Sequence, residues 1–415
     1  MRTRKTDTDT DTVIKWRYPL SDIDLGKEEE KEVLRVLRSK WLSTGPVTEK
    51  FEKTFAEYLG GGYAVAVSNG TAALHLALTC LNLKEGDEVI LPSLTFVATA
   101  NAVLYTGAKP VFADIQAEGD LNISPEEIKK KITERTRAIL VMHYGGYPCD
   151  MKSIMGIARK HGLYVVEDAA HAPGAEYRGR KCGTIGALGC FSFFSNKNLV
   201  TGEGGMIFTR NRAWAEKVRS MRSHGMKALS WDKYRGHLSS YDIDELGFNY
   251  RSTEIQSALG LVQLRKMGRN NQKREKLVET YRKELQETKG LSIPFSQWGG
   301  RPSYHLFSIL VAPFIKREKV MEELRRHGIQ TSIHYPPIHL FSLYQKTFGY
   351  RKGMLPVTEK VSERVITLPL HPLMNVTDVK WIARKLNTVI HACTPKCGVS
   401  PACAKPLRRR QGTQA

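Results

Sequence analysis

Cys190 to Gly205 reads CFSFFSNKNLVTGEGG, a short aromatic run followed by a lysine, Lys197, and a glycine-rich turn. The run Cys190–Phe194 predicts a buried strand, and the turn after it puts Lys197 just beyond the strand end. Burial penalises an ammonium and lowers its pKa, and a lysine so tuned condenses with carbonyls. Upstream, VVEDAAHAPGA (165–175) is a hydrophobic strand that ends on Glu167-Asp168. Further upstream, VAVSNGTAALHLAL (65–78) runs from a strand through Gly70-Thr71 into a helix whose Leu74, Ala77, Leu78 and Leu81 share one face.

The remaining strand signals fall at Ala64–Val67, Glu88–Leu91, Lys109–Ile115, Arg137–His143, Tyr164–Glu167 and Gly205–Thr209. Most are continuous apolar runs, as expected of strands buried on both faces of a largely parallel sheet. Helical patterns alternate with them. Ser124-Pro125-Glu126-Glu127 is a helix start, Asp150 caps the next helix and Gly162 ends it. Another helix is expected near Glu28–Ser39. The fold class is therefore α/β, with a seven-stranded, mostly parallel sheet in a large domain. After Arg251 a long helical stretch runs to about Leu291, followed by a strand at Ser308–Ala312 and helices at Lys319–His327 and Val376–Leu386. This part predicts a smaller C-terminal α+β domain. The expected boundaries are a disordered N-terminal arm (1–17), a large domain (18–255), a small domain (256–390) and a basic, cysteine-containing tail (391–415).

Composition sets the class. The chain has 415 residues, 41% of them hydrophobic and 25% charged, ordinary values for a soluble globular protein. No signal-peptide core or membrane-spanning run is visible, so the expected location is the cytoplasm. The seven cysteines do not form a disulfide framework in a chain of this size. Cys393, Cys397 and Cys403 lack a fourth ligand at zinc-like spacing, and no metal is expected. The net charge of +21 favours anionic partners, and the tail contributes five basic residues and no acid.

A lysine, a carboxylate and a phosphate-binding helix start, each at a strand end, are the parts that pyridoxal phosphate (PLP) chemistry requires. Gly70 lets backbone approach closely, and the first amides of the helix suit a phosphate dianion. Ser192 can add a hydroxyl to the same phosphate. Asp168 can keep a pyridine nitrogen protonated. His171 can lie against the ring or bond its phenolic oxygen, and Phe96 can supply a stacking face. Taken singly, each also fits a plain structural role as a turn, cap or core residue. Their ordered combination carries the reading.

The segments SNGTAALHLAL (68–78), DEVILPSLTFVATANAVLYTGAKPVFADI (87–115), YPCDM (147–151), EDAAHAPGAEYRGRKCGTIGALGCFSFFSNKN (167–198), TGEGGM (201–206), GFNYRSTEIQSALGLVQL (247–264) and HYPPIH (334–339) resemble the sugar aminotransferases of the DegT/StrS group. The similarity covers about residues 18 to 390. It implies a fold-type I PLP enzyme in which Lys197 carries the cofactor as a Schiff base and Asp168 pairs with the pyridine nitrogen. It implies further that Gly70, Thr71 and Ser192 hold the phosphate, that Phe96 and His171 flank the ring, and that Asn249 reaches the phosphate from the neighbouring subunit. A homodimer with shared active sites follows from that last implication. A lysine at 197, where related 3-dehydratases carry histidine, argues for amino transfer. Ser252-Thr253 departs from the bulky methionine that relatives more often carry.

The expected reaction is ping-pong transfer from L-glutamate, or glutamine, to a nucleotide-linked keto sugar. The Thr-Gly-Glu-Gly-Gly wording resembles family members that act on 4-keto rather than 3-keto sugars, and that resemblance implies a 4-keto-6-deoxyhexose. His224, Tyr304, His305, His334 and Tyr335 are candidate sugar contacts by position. A 3-keto sugar or keto-cyclitol is the alternative substrate. A regulatory, nucleic-acid-binding protein on the same scaffold is the alternative of another class. It has the charge and Arg408–Arg410 in its favour, but no nucleic-acid-binding motif, so nucleic acid is not an expected partner.

Overall fold

Alternation within the apolar runs decides how the chain layers. In the computed structural model, which describes residues 16–226, 242–243, 245–296, 298 and 300–394, seven strands form one sheet. Their order is Tyr63–Val67, Gly205–Thr209, Leu188–Ser192, Tyr164–Asp168, Thr136–Met142, Glu88–Pro92 and Lys109–Ala113. Gly205–Thr209 runs antiparallel to both neighbours, and every other pairing is parallel. Side chains alternate across the sheet. Val65, Val67, Val89, Leu91 and Leu140 pack under the helices Gly70–Thr79, Val97–Tyr105 and Arg212–Met221. Ala64, Ala66, Phe191, Met206 and Phe208 face the opposite layer, beneath the helices Pro46–Tyr58 and Glu254–Leu285. Burial on both faces explains why these strands read as unbroken apolar runs.

The helix ends follow local rules. The Ser124 hydroxyl accepts from Glu127 N–H, Asp150 accepts from Ser153 N–H, and Gly162 closes its helix in the left-handed region at φ 65°.

A second sheet, antiparallel throughout, joins Leu291–Ser292, Phe307–Val311 and Val365–Leu368. The helices Arg317–Arg326 and Val376–Cys393 pack beside it. The Glu254–Leu285 helix belongs to both layers. Leu261, Leu264 and Met267 enter the core beneath the large sheet, while Leu277, Val278, Tyr281 and Leu285 enter the core of the small one. Its 32 residues span about 48 Å.

Four expectations change. The strand expected at Cys190–Phe194 lies at Leu188–Ser192, two residues earlier, because the chain leaves the sheet where it turns towards Lys197. The helix expected to reach Leu291 stops at Leu285, and Leu291 instead pairs with Val311. The C-terminal helix continues past His391 to Cys393, while residues 395–415, with Cys397, Cys403 and Arg408–Arg410, lie outside the described residues. At the other end Arg17, placed in the arm, donates its N–H to Gly328 O and stacks its guanidinium over Trp381. The Pro46–Tyr58 helix adds to the elements expected from the sequence.

Candidate active site

The C-terminal ends of the parallel strands converge on a cavity of about 440 Å³. Clefts at this edge are where open α/β sheets bind ligands. Gly70, Thr71, Phe96, Asp168, His171, Ser192, Lys197, His334 and Tyr335 all line it.

At one end of the cavity, Asn69 caps the Gly70–Thr79 helix by accepting from Ala72 N–H at 2.8 Å. The amides of Gly70 and Thr71, at the positive end of the helix dipole, are therefore left for a ligand. Gly70 packs so closely on the neighbouring strand end that a Cβ there would sit 2.8 Å from Ser192 Cβ. Only glycine permits that approach, and it brings the Ser192 hydroxyl to the helix start. This cradle has the donor chemistry of a phosphate site.

Asp168 ends the Tyr164–Asp168 strand and is buried. Its Oδ2 accepts from Thr99 Oγ1 at 2.8 Å and its Oδ1 from Ala170 N–H at 3.1 Å. Burial pushes its pKa up, while those donors, with Lys197 and His143 beyond them, pull it back. Lys197 faces it from the loop after Ser192. Burial lowers the Lys197 pKa to about 8, and the Asp168 charge only partly opposes that.

The wall opposite is built from rings. Gly145 N–H donates to His171 Nδ1 at 3.3 Å, so the imidazole proton sits on Nε2 and points at the Tyr335 hydroxyl, 3.0 Å away. Burial keeps the His171 pKa well below 6.5, so the ring is neutral. Tyr335 lies 6.2 Å from Phe96, ring to ring, across the cavity mouth. His334 Nδ1 meets Thr367 Oγ1 at 2.8 Å, and burial together with Lys197 lowers its pKa to about 4.

The other candidates lie elsewhere. His305 sits behind His171, with ring centroids 4.3 Å apart and its Nδ1–H donated to Asn198 Oδ1. Tyr304 turns away and donates its hydroxyl to Glu275. His224 and Asn249 are exposed and do not line this chain's cavity. Several lining groups had no individual sequence signal: Thr95, Phe194, Asn196 and Glu203. Only the i, i+4 spacing of Thr95 and Thr99 just after a strand end could have pointed to the pair beside Asp168.

Behind the site, His143, Glu167 and Cys182 place three possible metal donors within 4.8 Å of one another. Glu167 is already committed, accepting from the amides of Gly183, Ile185 and Gly186 and from His143 Nε2. The cluster ties the Gly183–Gly186 loop to the strand that carries Asp168.

A mostly parallel sheet whose strand ends bring together a lysine, a buried aspartate and a helix start with free amides fits an aminotransferase of the α/β type. The chain belongs to the DegT/DnrJ/EryC1/StrS aminotransferase family, whose sequence profile matches residues 23–387. It is 40% identical over 371 residues to the spore coat polysaccharide biosynthesis protein SpsC of Bacillus subtilis, covering 88% of this chain and 95% of that one. Helicobacter pylori PseC, an aminotransferase of pseudoaminic acid biosynthesis, superposes with a TM-score of 0.84 at 34% identity, over 90% of this chain and 99% of its own. Streptococcus pneumoniae Spr1654 in its PLP-form gives 0.84 at 29% identity, over 91% of this chain and 99% of its own.

Proposed function

We propose that this aminotransferase holds PLP on Lys197 and moves an amino group from L-glutamate, or glutamine, to a nucleotide-linked 4-keto-6-deoxyhexose. The observation that carries the reading is a lysine with its pKa lowered to about 8, facing a buried aspartate in a cavity large enough for cofactor and sugar together. The polysaccharide and pseudoaminic acid pathways named for SpsC and PseC support a sugar as acceptor.

The residues fit the cofactor. Gly70, Thr71 and Ser192 would hold its phosphate, and Asp168 would face its ring nitrogen. When bound, PLP supplies an electrophilic carbon and an electron sink. Asp168 keeps a proton on the ring nitrogen, and that positive charge in turn offsets the cost of burying the carboxylate. Lys197 Nζ takes the proton from the donor α-carbon and redelivers it, a role suited to an amine whose pKa burial lowers to about 8. His171 and Tyr335 wall off water on one side. Phe96 and Phe194 line the cavity yet remain 57% and 44% exposed, which supports a second subunit closing the mouth. Asn249, exposed on its own chain, would then reach the partner's phosphate site.

The test is the absorbance of the protein with PLP, before and after L-glutamate. A visible band of the lysine-bound cofactor that gives way to a near-ultraviolet band on adding L-glutamate marks the first half-reaction. No band after incubation with PLP would overturn the assignment.

A further inference from the structure

Asp168 is held by more than its own strand. Thr99 Oγ1 donates its single proton to Asp168 Oδ2 at 2.8 Å. The 2.9 Å contact between Thr99 and Thr95 must therefore be a bond donated by Thr95 to Thr99. Both threonines are buried, Thr99 completely and Thr95 to 1% exposure, in the first part of the Val97–Tyr105 helix and the turn before it. Thr95 also lines the cavity.

We propose that Thr99 is a positioning residue of this enzyme: with Thr95 behind it, it fixes the Asp168 carboxylate as an ionised acceptor aimed at the cofactor's ring nitrogen. This rests on the reading that Asp168 pairs with that nitrogen. A carboxylate in a buried site can capture a proton and become a donor, which would set it against a protonated ring. Thr99 has one proton, and with Thr95 donating to its oxygen that proton is free to point at Asp168; a donor aimed at the carboxylate stabilises the ionised form over the protonated one. Ala170 N–H fixes the other oxygen in the same sense. Each oxygen then keeps a lone pair for the ring. The titratable groups that act on Asp168 from the surrounding elements are Lys197 and His143, and those it acts on include Cys190 and Tyr335. None of them replaces the Thr99 bond.

The test uses the PLP-loaded enzyme and needs no sugar. The absorbance band of the lysine-bound cofactor is titrated with pH in wild type, Thr99→Val and Thr99→Ser. A ring that loses its proton withdraws less charge from the lysine-bound nitrogen. Thr99→Val should therefore move the midpoint up by about one unit, and Thr99→Ser, which keeps the hydroxyl, should stay close to wild type. The half-reaction rate with L-glutamate should fall about tenfold in Thr99→Val only. If Thr99→Val does not fold, Thr95→Val serves instead, with a smaller shift in the same direction. Wild-type titration in the valine variants, or an equal shift in Thr99→Ser, overturns the proposal. Absence of the band from the wild type overturns the cofactor reading and the proposal with it, an outcome distinct from a band that fails to shift.

Discussion

Lys197 is the residue on which chemistry and stability oppose each other. Its pKa falls from an ordinary 10.5 to about 8 because the folded apoprotein disfavours the ammonium. As the pH drops from 10.5 to 8, the unfolded chain takes up a proton that the folded chain refuses, so stability falls through that window and stays reduced below it. Lys197→Met keeps the stem and removes the amine. At pH 7 its apoprotein should be more stable than wild type by about 1–3 kcal/mol, less than the full shift implies because the side chain is only half-buried. Thermal melts at a series of pH values check this: the gap should close as the pH approaches 10.5. A gap constant with pH would mean that desolvation of the ammonium is not its source. The same variant should lose amino transfer altogether while remaining folded.

At the scale of elements, the Gly70–Thr79 helix and the strands around it could be read from the chain because their signals are local: a strand-to-helix turn at 68–71, apolar residues at helical spacing and continuous apolar strand runs. The Pro46–Tyr58 helix carries local signals too, a proline in its first turn and an apolar face of Phe51, Phe55 and Ala56, but the group that caps its start lies about 200 residues away. Glu254, buried at 2% exposure, accepts from the amides of Gly45, Val47 and Thr48 and from the Thr48 hydroxyl. A carboxylate thus caps a second helix while opening its own, whose Thr253 N-cap pairs reciprocally with Gln256. That cap also gives the unusual Ser252-Thr253 pair a structural use. The site shows the same division. Lys197, Asp168 and Gly70 follow from strand-end motifs, whereas Thr99 matters only through a carboxylate 69 positions later in the chain. Glu254→Gln replaces one acceptor oxygen by a donor facing Val47 N–H and removes the charge from the other bonds. It should cost about 2–3 kcal/mol, read as a lower urea midpoint at unchanged slope. A loss below ~0.5 kcal/mol would show that the remote cap is not what holds the helix start.

For the whole molecule, the question is whether one chain completes its own active site. The cavity holds the lysine, the aspartate and the helix start of a single chain, but its mouth carries exposed Phe96 and Phe194, and Asn249 sits away from it on the surface. A two-fold dimer would cover the first pair and give Asn249 a phosphate to bind, because a symmetric interface brings each surface patch to its copy twice. Subunit mixing separates this arrangement from a self-contained site. Lys197→Met and Asn249→Ala each lower activity alone. If Asn249 serves the partner's site, a mixed dimer places both lesions in one site and leaves the other wholly wild type. Random exchange between the two variants should then restore roughly a quarter of the wild-type sites, since half the dimers are mixed and each has one intact site. If Asn249 serves its own chain, no site escapes damage, and mixing gives only the average of the two variants. The assay needs no more than L-glutamate and PLP, followed at the cofactor band, so its outcome does not depend on which sugar the enzyme accepts.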